Sequence, residues 1–143
     1  MLKNIDTKKS VIFILLLIFL DQFVKIYIKL NYSITSYGQP PIIDLGFFKL
    51  LFIENKGMAM GARLNNLIPF LDDDTAKLIL TIFRIFACIG IGFWLKSIIK
   101  NKGSQLLIFC VCLIFAGAVG NLIDSVFYGM IFSSSYGQVA TLF

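Results

Sequence analysis

The sequence contains no histidine among its 143 residues. Without histidine, the Ser-His-Asp and Cys-His nucleophile systems are excluded, and the commonest zinc ligand is missing. The three cysteines, Cys88, Cys110 and Cys112, all lie inside apolar runs, and an odd number at such positions does not make a disulfide framework. We interpret them as small core or lipid-facing hydrophobes, and we expect neither a metal centre nor a cofactor.

Charged residues are also scarce. Only 15% of the residues are charged and 58% are apolar, whereas a soluble domain is about half apolar and about a quarter charged. This excess predicts that membrane lipid surrounds much of the chain. The net charge of +5 does not indicate nucleic-acid binding, because no run of lysine and arginine alternates with aromatic residues. We expect membrane lipid as a partner and no nucleic acid.

Three apolar stretches are long enough to cross a bilayer, at about residues 11–30, 78–97 and 105–127. A crossing helix needs roughly 20 residues, and it must be a helix because backbone polar groups find no other partner in lipid. The first stretch is not read as a cleaved secretory signal, since its first ten apolar residues are followed by Asp21, Gln22 and Lys25 and not by a small-residue cleavage site. The pattern predicts an all-α polytopic membrane protein, a transmembrane helix bundle that forms a single membrane-embedded domain over residues 1–143.

The placement of charge predicts the orientation of the spans. Three lysines precede the first span, and Lys96, Lys100 and Lys102 lie at the end of the second span and in the loop after it, whereas the segment 31–76 carries five acidic and three basic residues. By the positive-inside rule, the N-terminus and the loop around residue 100 face the cytoplasm. The loop 31–76 is therefore expected on the extracytoplasmic side.

This extracytoplasmic loop predicts a small β-rich unit. PPIIDLG and FFKLLFI, at residues 40–46 and 47–53, are rich in β-branched or aromatic residues and predict two strands. NKG then marks a turn. In LDDDTAKLIL, Asp74 or Thr75 is expected to cap the second spanning helix. A calcium site is the alternative for the three aspartates, but the remaining loop ligands and the closing glutamate are missing.

Ionisable residues occur at membrane depth, where each one costs roughly 2.5 to 3.5 kcal/mol on insertion scales. Asp21 lies about 15 Å into the first span, and Lys25 follows one turn later on the same face. The two residues form either an internal ion pair or a polar wall that faces a shared cavity. Arg84 in the second span is interpreted as a structural or lipid-headgroup residue that snorkels or pairs with an acid.

The third span offers a partner surface for the first. Asn121 and Asp124 share a face at i, i+3 spacing, and the small residues Gly117, Ala118 and Gly120 allow another backbone to approach. With the predicted orientation, these groups and the Asp21 face meet in the outer half of the bilayer. They are expected to lie beneath the loop that carries FIENKGMAMG.

At these residues the sequence resembles the bacterial lipoprotein signal peptidase family, also called signal peptidase II. DQFVK at 21–25 matches a D-x-x-x-K pattern, ENKGMAMG at 54–61 matches N-x-G-x-A, and GAVGNLID at 117–124 matches G-A-x-G-N-x-x-D-R. The resemblance implies four transmembrane helices, a β-rich extracytoplasmic platform and residence in the bacterial cytoplasmic (inner) membrane. It also implies an aspartic endopeptidase that removes signal peptides from diacylglyceryl-modified prolipoproteins, with the lipid-modified preprotein as substrate.

The resemblance assigns roles to individual residues. Asn55, Gly57 and Asn121 are implied to line the substrate pocket. A supporting polar network is implied for three further side chains, namely Asp21, Lys25 and Asp124. Asn55 would supply hydrogen bonds and Gly57 the backbone freedom of a rim over the membrane.

Two departures from the family pattern change what is expected. Ser125 stands where the pattern has arginine, and the two catalytic-aspartate motifs, V-V-D-F-like and F-N-x-A-D, do not occur before Phe143. We therefore expect no catalytic residue within the chain, a missing fourth helix and a truncated fragment that is inactive as given. The alternative is a non-enzymatic small membrane protein, a subunit or helix-bundle scaffold that uses the same polar residues as interhelical contacts.

Overall fold

The computed structural model describes residues 6–34, 40–53 and 72–132. Its three long helices are α1 (Thr7–Asn31), α2 (Asp73–Lys100) and α3 (Gln105–Ile123). Three stretches are long and apolar enough to cross a membrane. They are the 25 residues of α1, the 26 residues from Thr75 to Lys100 in α2, and the 24 residues from Gln105 to Tyr128, which extend past the end of α3. Most of the large apolar side chains of α1 and α2 are exposed, as lipid contact requires. The predicted class, an all-α polytopic membrane protein, is confirmed.

Helix α2 begins one turn earlier than its apolar run. The backbone N–H and the hydroxyl of Thr75 donate to the Asp72 carboxylate at 3.0 Å and 2.6 Å, so Asp72 is the capping residue. The expectation that Asp74 or Thr75 caps the helix is wrong. Asp72, Asp73, Asp74 and Thr75 are all good capping types in the sequence, and only the folded geometry identifies Asp72 as the residue that precedes the helix and accepts the Thr75 N–H.

A tight turn joins α2 to α3. The N–H of Gly103 donates to the Ile98 carbonyl at 2.8 Å, and Lys102 takes a left-handed backbone conformation with φ of 52°. Ser104 then caps α3, because its hydroxyl accepts the Leu107 N–H at 3.1 Å. These bonds satisfy backbone groups at the end of α2 and at the start of α3, so the four residues 101–104 are enough to connect the two helices.

The segment before α2 contains a short antiparallel hairpin, β1 (Ile43–Asp44) and β2 (Lys49–Leu50). The Asp44 carboxylate accepts the N–H of Gly46 at 2.9 Å and lies 3.2 Å from the Lys49 ammonium. Gly46 has φ of 78°, which glycine adopts without a steric penalty. Both predicted strands are present, although shorter than the apolar pattern suggested. The NKG turn lies outside the described residues.

The described residues fall into two compact units, one within Met1–Phe23 and Thr81–Val126 and the other within Val24–Leu80 and Phe127–Phe143. The single domain over 1–143 therefore stays a prediction. The first unit has an apolar core in which the rings of Phe13 and Phe109 stack at 5.3 Å. The buried residues of this core are Ile14, Leu95, Ile108, Val111, Cys112 and Ala116. In the second unit, the Lys29 ammonium lies 5.5 Å from the centre of the Phe132 ring.

The cysteines behave as small hydrophobes, as expected. Cys88 and Cys112 are buried and Cys110 is exposed on the outer face of α3, and all three are free thiols. Cys112 belongs to the core of the first unit, whereas Cys88 lines a groove of about 380 Å³ between α2 and α3. The remaining lining of that groove is apolar apart from Lys96, so the groove is chemically unlike the polar cluster described below.

Ile108→Ala is expected to lower the free energy of unfolding by about 2 to 4 kcal/mol, because Ile108 is 1% exposed and its truncation leaves a cavity in packed surroundings. Leu106→Ala on the same helix is the control, since Leu106 is 63% exposed and its loss should cost less than about 0.5 kcal/mol. Unfolding of the purified chain in mixed micelles, followed by circular dichroism, measures both. Equal losses for the two variants would contradict the observed core.

Candidate functional site

Gln22 joins α1 to the end of α3. Its side-chain nitrogen, Nε2, lies 3.1 Å from an Asp21 carboxylate oxygen and 3.0 Å from an Asp124 carboxylate oxygen. The same nitrogen lies 3.4 Å from the Gly120 carbonyl oxygen. These contacts bring together residues about a hundred positions apart in sequence, and all of them belong to the first compact unit. The polar faces of the first and third spans therefore meet, as the sequence predicted.

The chemistry of the three acceptors fixes the orientation of the Gln22 amide. Carboxylates and carbonyls accept hydrogen bonds, so the NH₂ end of the amide must face them. An NH₂ group has two hydrogens, which match the two closer carboxylate contacts, and the Gly120 carbonyl at 3.4 Å shares one of them. Because both carboxylate oxygens contact one nitrogen, at 3.1 Å and 3.0 Å, they are at most 6.1 Å apart.

Helix α3 changes its hydrogen-bonding pattern at this cluster. The Asp124 N–H is shared between the Asn121 and Gly120 carbonyls, and Asp124–Tyr128 forms a π-helical turn that leads into α4 (Gly129–Ile131). Short π-helical segments inside α-helices are rare and are found most often at functional sites. The sequence predicted one uninterrupted helix over 105–127, and the π-helical turn appears only in the structure.

A second polar connection reaches α3 from α2. The Arg84 guanidinium donates a hydrogen bond to the Ser125 hydroxyl, and that hydroxyl donates to the Asn121 carbonyl at 2.8 Å. Arg84 lies about 16 Å along α2 from Asp73. The Ser125 hydroxyl, in the π-helical turn, thus engages this half-buried side chain.

The structure brings together part of the predicted site. Asp21 and Asp124 share the Gln22 amide, and Asn121 is connected to the cluster through its backbone carbonyl while its side chain is exposed. Lys25 is half-buried on α1, one turn after Asp21. The predicted rim residues, Asn55 and Gly57, lie outside the described residues, so their roles stay predictions.

Gln22 is the residue that the sequence analysis missed. The D-x-x-x-K pattern leaves the position of Gln22 unassigned, so the resemblance implies no role for this residue. A usable signal was nevertheless present, because an amide between Asp21 and Lys25 in an apolar run is itself a polar group that needs a partner in lipid. Two carboxylates predicted to approach one another also favour a nearby donor or cation, because each disfavours the ionised form of the other.

The small residues of α3 divide into two kinds. Gly120 is buried and its carbonyl accepts from Gln22, which agrees with the expected close approach. Gly117 is exposed, and within residues 6–34, 40–53 and 72–132 nothing lies within 4 Å of a Cβ added there. The expectation that Gly117 accommodates a neighbouring backbone therefore finds no support among the described residues and stays a prediction.

Comparison with known proteins bears directly on this cluster. The sequence profile of the family described as signal peptidase (SPase) II matches residues 13–139, a range that includes all three motifs and both halves of the Gln22 connection. The chain belongs to the signal peptidase II family. No solved structure matches it.

Several relatives carry the name lipoprotein signal peptidase. The one from Porphyromonas gingivalis is 40% identical over 132 residues, which cover 91% of this chain and 52% of that protein. The one from Amoebophilus asiaticus is 34% identical, with 87% and 54% covered, and the one from Fusobacterium nucleatum is 33% identical, with 89% and 70% covered. The chain thus spans about half the length of the first two signal peptidase II relatives.

Gln22→Met is expected to lower the free energy of unfolding by about 1 to 2 kcal/mol, because it removes the donor that two carboxylates share while preserving side-chain length. Asn31→Met is the matched control, since the Asn31 amide lies on the same helix, is exposed and donates to the Tyr27 carbonyl one turn back. Mixed-micelle unfolding measures both variants. A Gln22 effect no larger than the Asn31 effect would show that the connection does not hold the helices together.

Proposed function

We propose that the protein carrying these residues is a membrane aspartic endopeptidase that removes signal peptides from diacylglyceryl-modified preproteins. The observation that carries this proposal is the Gln22 amide bonded to both Asp21 and Asp124. It supports a polar pocket built from the first and third family motifs inside otherwise apolar helices. Membership of the signal peptidase II family supplies the reaction class.

The chemistry of such a substrate fits the composition of this site. A signal peptide with a diacylglyceryl cysteine is apolar along its helix and acyl chains, but its scissile amide is polar and needs hydrogen-bond partners in a low-dielectric setting. The exposed apolar side chains on α1 and α2 suit the apolar helix and acyl chains of the substrate. Asn121, together with Asn55 and Gly57 of the second motif, is proposed to hydrogen-bond the scissile amide. Asp21, Lys25 and Asp124 are proposed to hold the pocket in shape.

We further propose that the hydrolytic aspartates are not among these 143 residues. Aspartic hydrolysis requires two carboxylates that share a proton and face one water molecule. Asp21 and Asp124 do not suit that role, because an amide NH₂ stands between them and engages an oxygen of each as an acceptor. The V-V-D-F-like and F-N-x-A-D motifs that would supply the pair do not occur in the sequence.

The purified 143-residue chain is therefore expected to bind a fluorescent diacylglyceryl-modified preprotein in detergent without releasing its signal peptide. Gel mobility follows cleavage and fluorescence anisotropy follows binding, with the Porphyromonas gingivalis lipoprotein signal peptidase as the positive control for cleavage. Turnover by the chain itself would mean that a carboxylate pair within it is catalytic. Absence of binding would favour the alternative function, a non-enzymatic membrane scaffold.

The proposed orientation places the N-terminus in the cytoplasm of the bacterial inner membrane and loop 31–76 on the extracytoplasmic side. In a variant whose three native cysteines are replaced by alanine, Phe47→Cys should react with a membrane-impermeant maleimide in intact cells. Phe47 is 93% exposed at the hairpin turn, so access is not limited by the fold. Asn101→Cys, in the exposed turn between α2 and α3, should react only after permeabilisation. The reverse pattern would refute the orientation.

A further inference from the structure

The Arg84–Ser125 hydrogen bond coincides with the one position at which the third motif departs from the family pattern. In that pattern an arginine directly follows the aspartate, whereas here Ser125 follows Asp124. The structure places the guanidinium of Arg84 on the Ser125 hydroxyl. An arginine head group is thus present beside position 125, although it comes from another helix.

The register of the α2–α3 hairpin explains how residue 84 reaches residue 125. Arg84 lies 16 residues before Lys100, where α2 ends, and Ser125 lies 20 residues after Gln105, where α3 begins, so they stand about 24 Å and about 30 Å from the connecting turn. The turn is fixed by its own hydrogen bonds. Nearer the turn, the Phe115 ring lies 3.4 Å from a Cβ built on Gly92, so the two helices are also close there.

Ser125 transmits the position of Arg84 to the predicted pocket. Its hydroxyl accepts from the guanidinium and donates to the Asn121 carbonyl at 2.8 Å. The Asn121 carbonyl also receives the Asp124 N–H, so one residue carries the contacts of both the α2 connection and the π-helical turn. A shift of Arg84 would therefore alter the backbone that presents Asn121.

We propose that Arg84 is a positioning residue that supplies, from α2, the cation which the family pattern places at position 125. It holds the end of α3 so that Asn121 faces the substrate, and Ser125 is the small hydroxyl that makes room for it. Positions 84 and 125 are then coupled: the site holds one guanidinium group, which can come from either position but not from both at once. The inference rests on the proposed function for its substrate, a diacylglyceryl-modified peptide.

Four variants test the proposal in the 143-residue chain. Arg84→Gln removes the cation, the double variant R84Q/S125R moves it to α3, Ser125→Arg alone duplicates it, and Arg84→Lys keeps charge without the planar fork. Lys96→Gln is the matched control, because Lys96 is an exposed basic residue of α2 that lies outside the polar cluster. Each is measured for affinity towards a fluorescent diacylglyceryl-cysteine peptide and for melting temperature in detergent.

Arg84→Gln should weaken peptide affinity about tenfold, in line with the loss of a hydrogen bond to a charged group. R84Q/S125R should recover affinity to within about threefold of the starting chain, and Arg84→Lys should recover it only partly. Ser125→Arg alone should bind no better than the starting chain, since two guanidinium groups then compete for one place. Lys96→Gln should bind within twofold of the starting chain.

A double variant that binds no better than Arg84→Gln, with helical content intact, would overturn the proposal and leave Arg84 as a structural contact. Failure of the starting chain to bind the peptide would instead count against the proposed function. In that case the melting temperatures still decide. If the decreases in melting temperature caused by Arg84→Gln and Ser125→Arg simply add in the double variant, the inference is refuted. A melting temperature that recovers in the double variant would support the exchange of positions.

Discussion

A hydrogen bond donor between two carboxylates is the interaction on which the site depends. Lipid offers no partner for a polar side chain, so each polar group on a spanning helix must find one within the protein. The Gln22 amide meets this requirement for Asp21 and Asp124 together and also reaches the Gly120 carbonyl. The Asp21 and Asp124 oxygens that contact this amide nitrogen are at most 6.1 Å apart, so the amide links the first and third motifs directly.

The end of α3 concentrates the contacts from both other helices. Gly120 receives Gln22 from α1, and Asn121 receives the Ser125 hydroxyl that Arg84 of α2 contacts. A hydroxyl that bonds the carbonyl four residues back competes with the regular backbone ladder and tends to bend a helix. The π-helical turn over Asp124–Tyr128 begins where these side-chain donors engage the carbonyls. The irregularity and the polar cluster are therefore one feature, in which local backbone geometry is adapted to interhelical contacts.

Much of the architecture was predictable because lipid imposes a simple rule on composition. Long apolar runs in a sequence with few charges can only be helices, so the three spans were found within a few residues of their ends. The two strands were predicted from their β-branched and aromatic residues, whereas their antiparallel pairing, over only two residues a strand, appears in the structure. The choice of Asp72 as the cap and the open surroundings of Gly117 could not be predicted, since both depend on which neighbouring atoms the folded chain brings near.

The sequence by itself determined the membrane class, the number of apolar spans within the described residues and the family, because these follow from composition and from motifs read in order. It also identified Asp21 and Asp124 as polar residues that needed partners at membrane depth. Only the tertiary structure decided what those partners are. Gln22 and Arg84 belong to no assigned motif position, and their hydrogen bonds to α3 exist because helix packing sets distances that the sequence pattern does not encode.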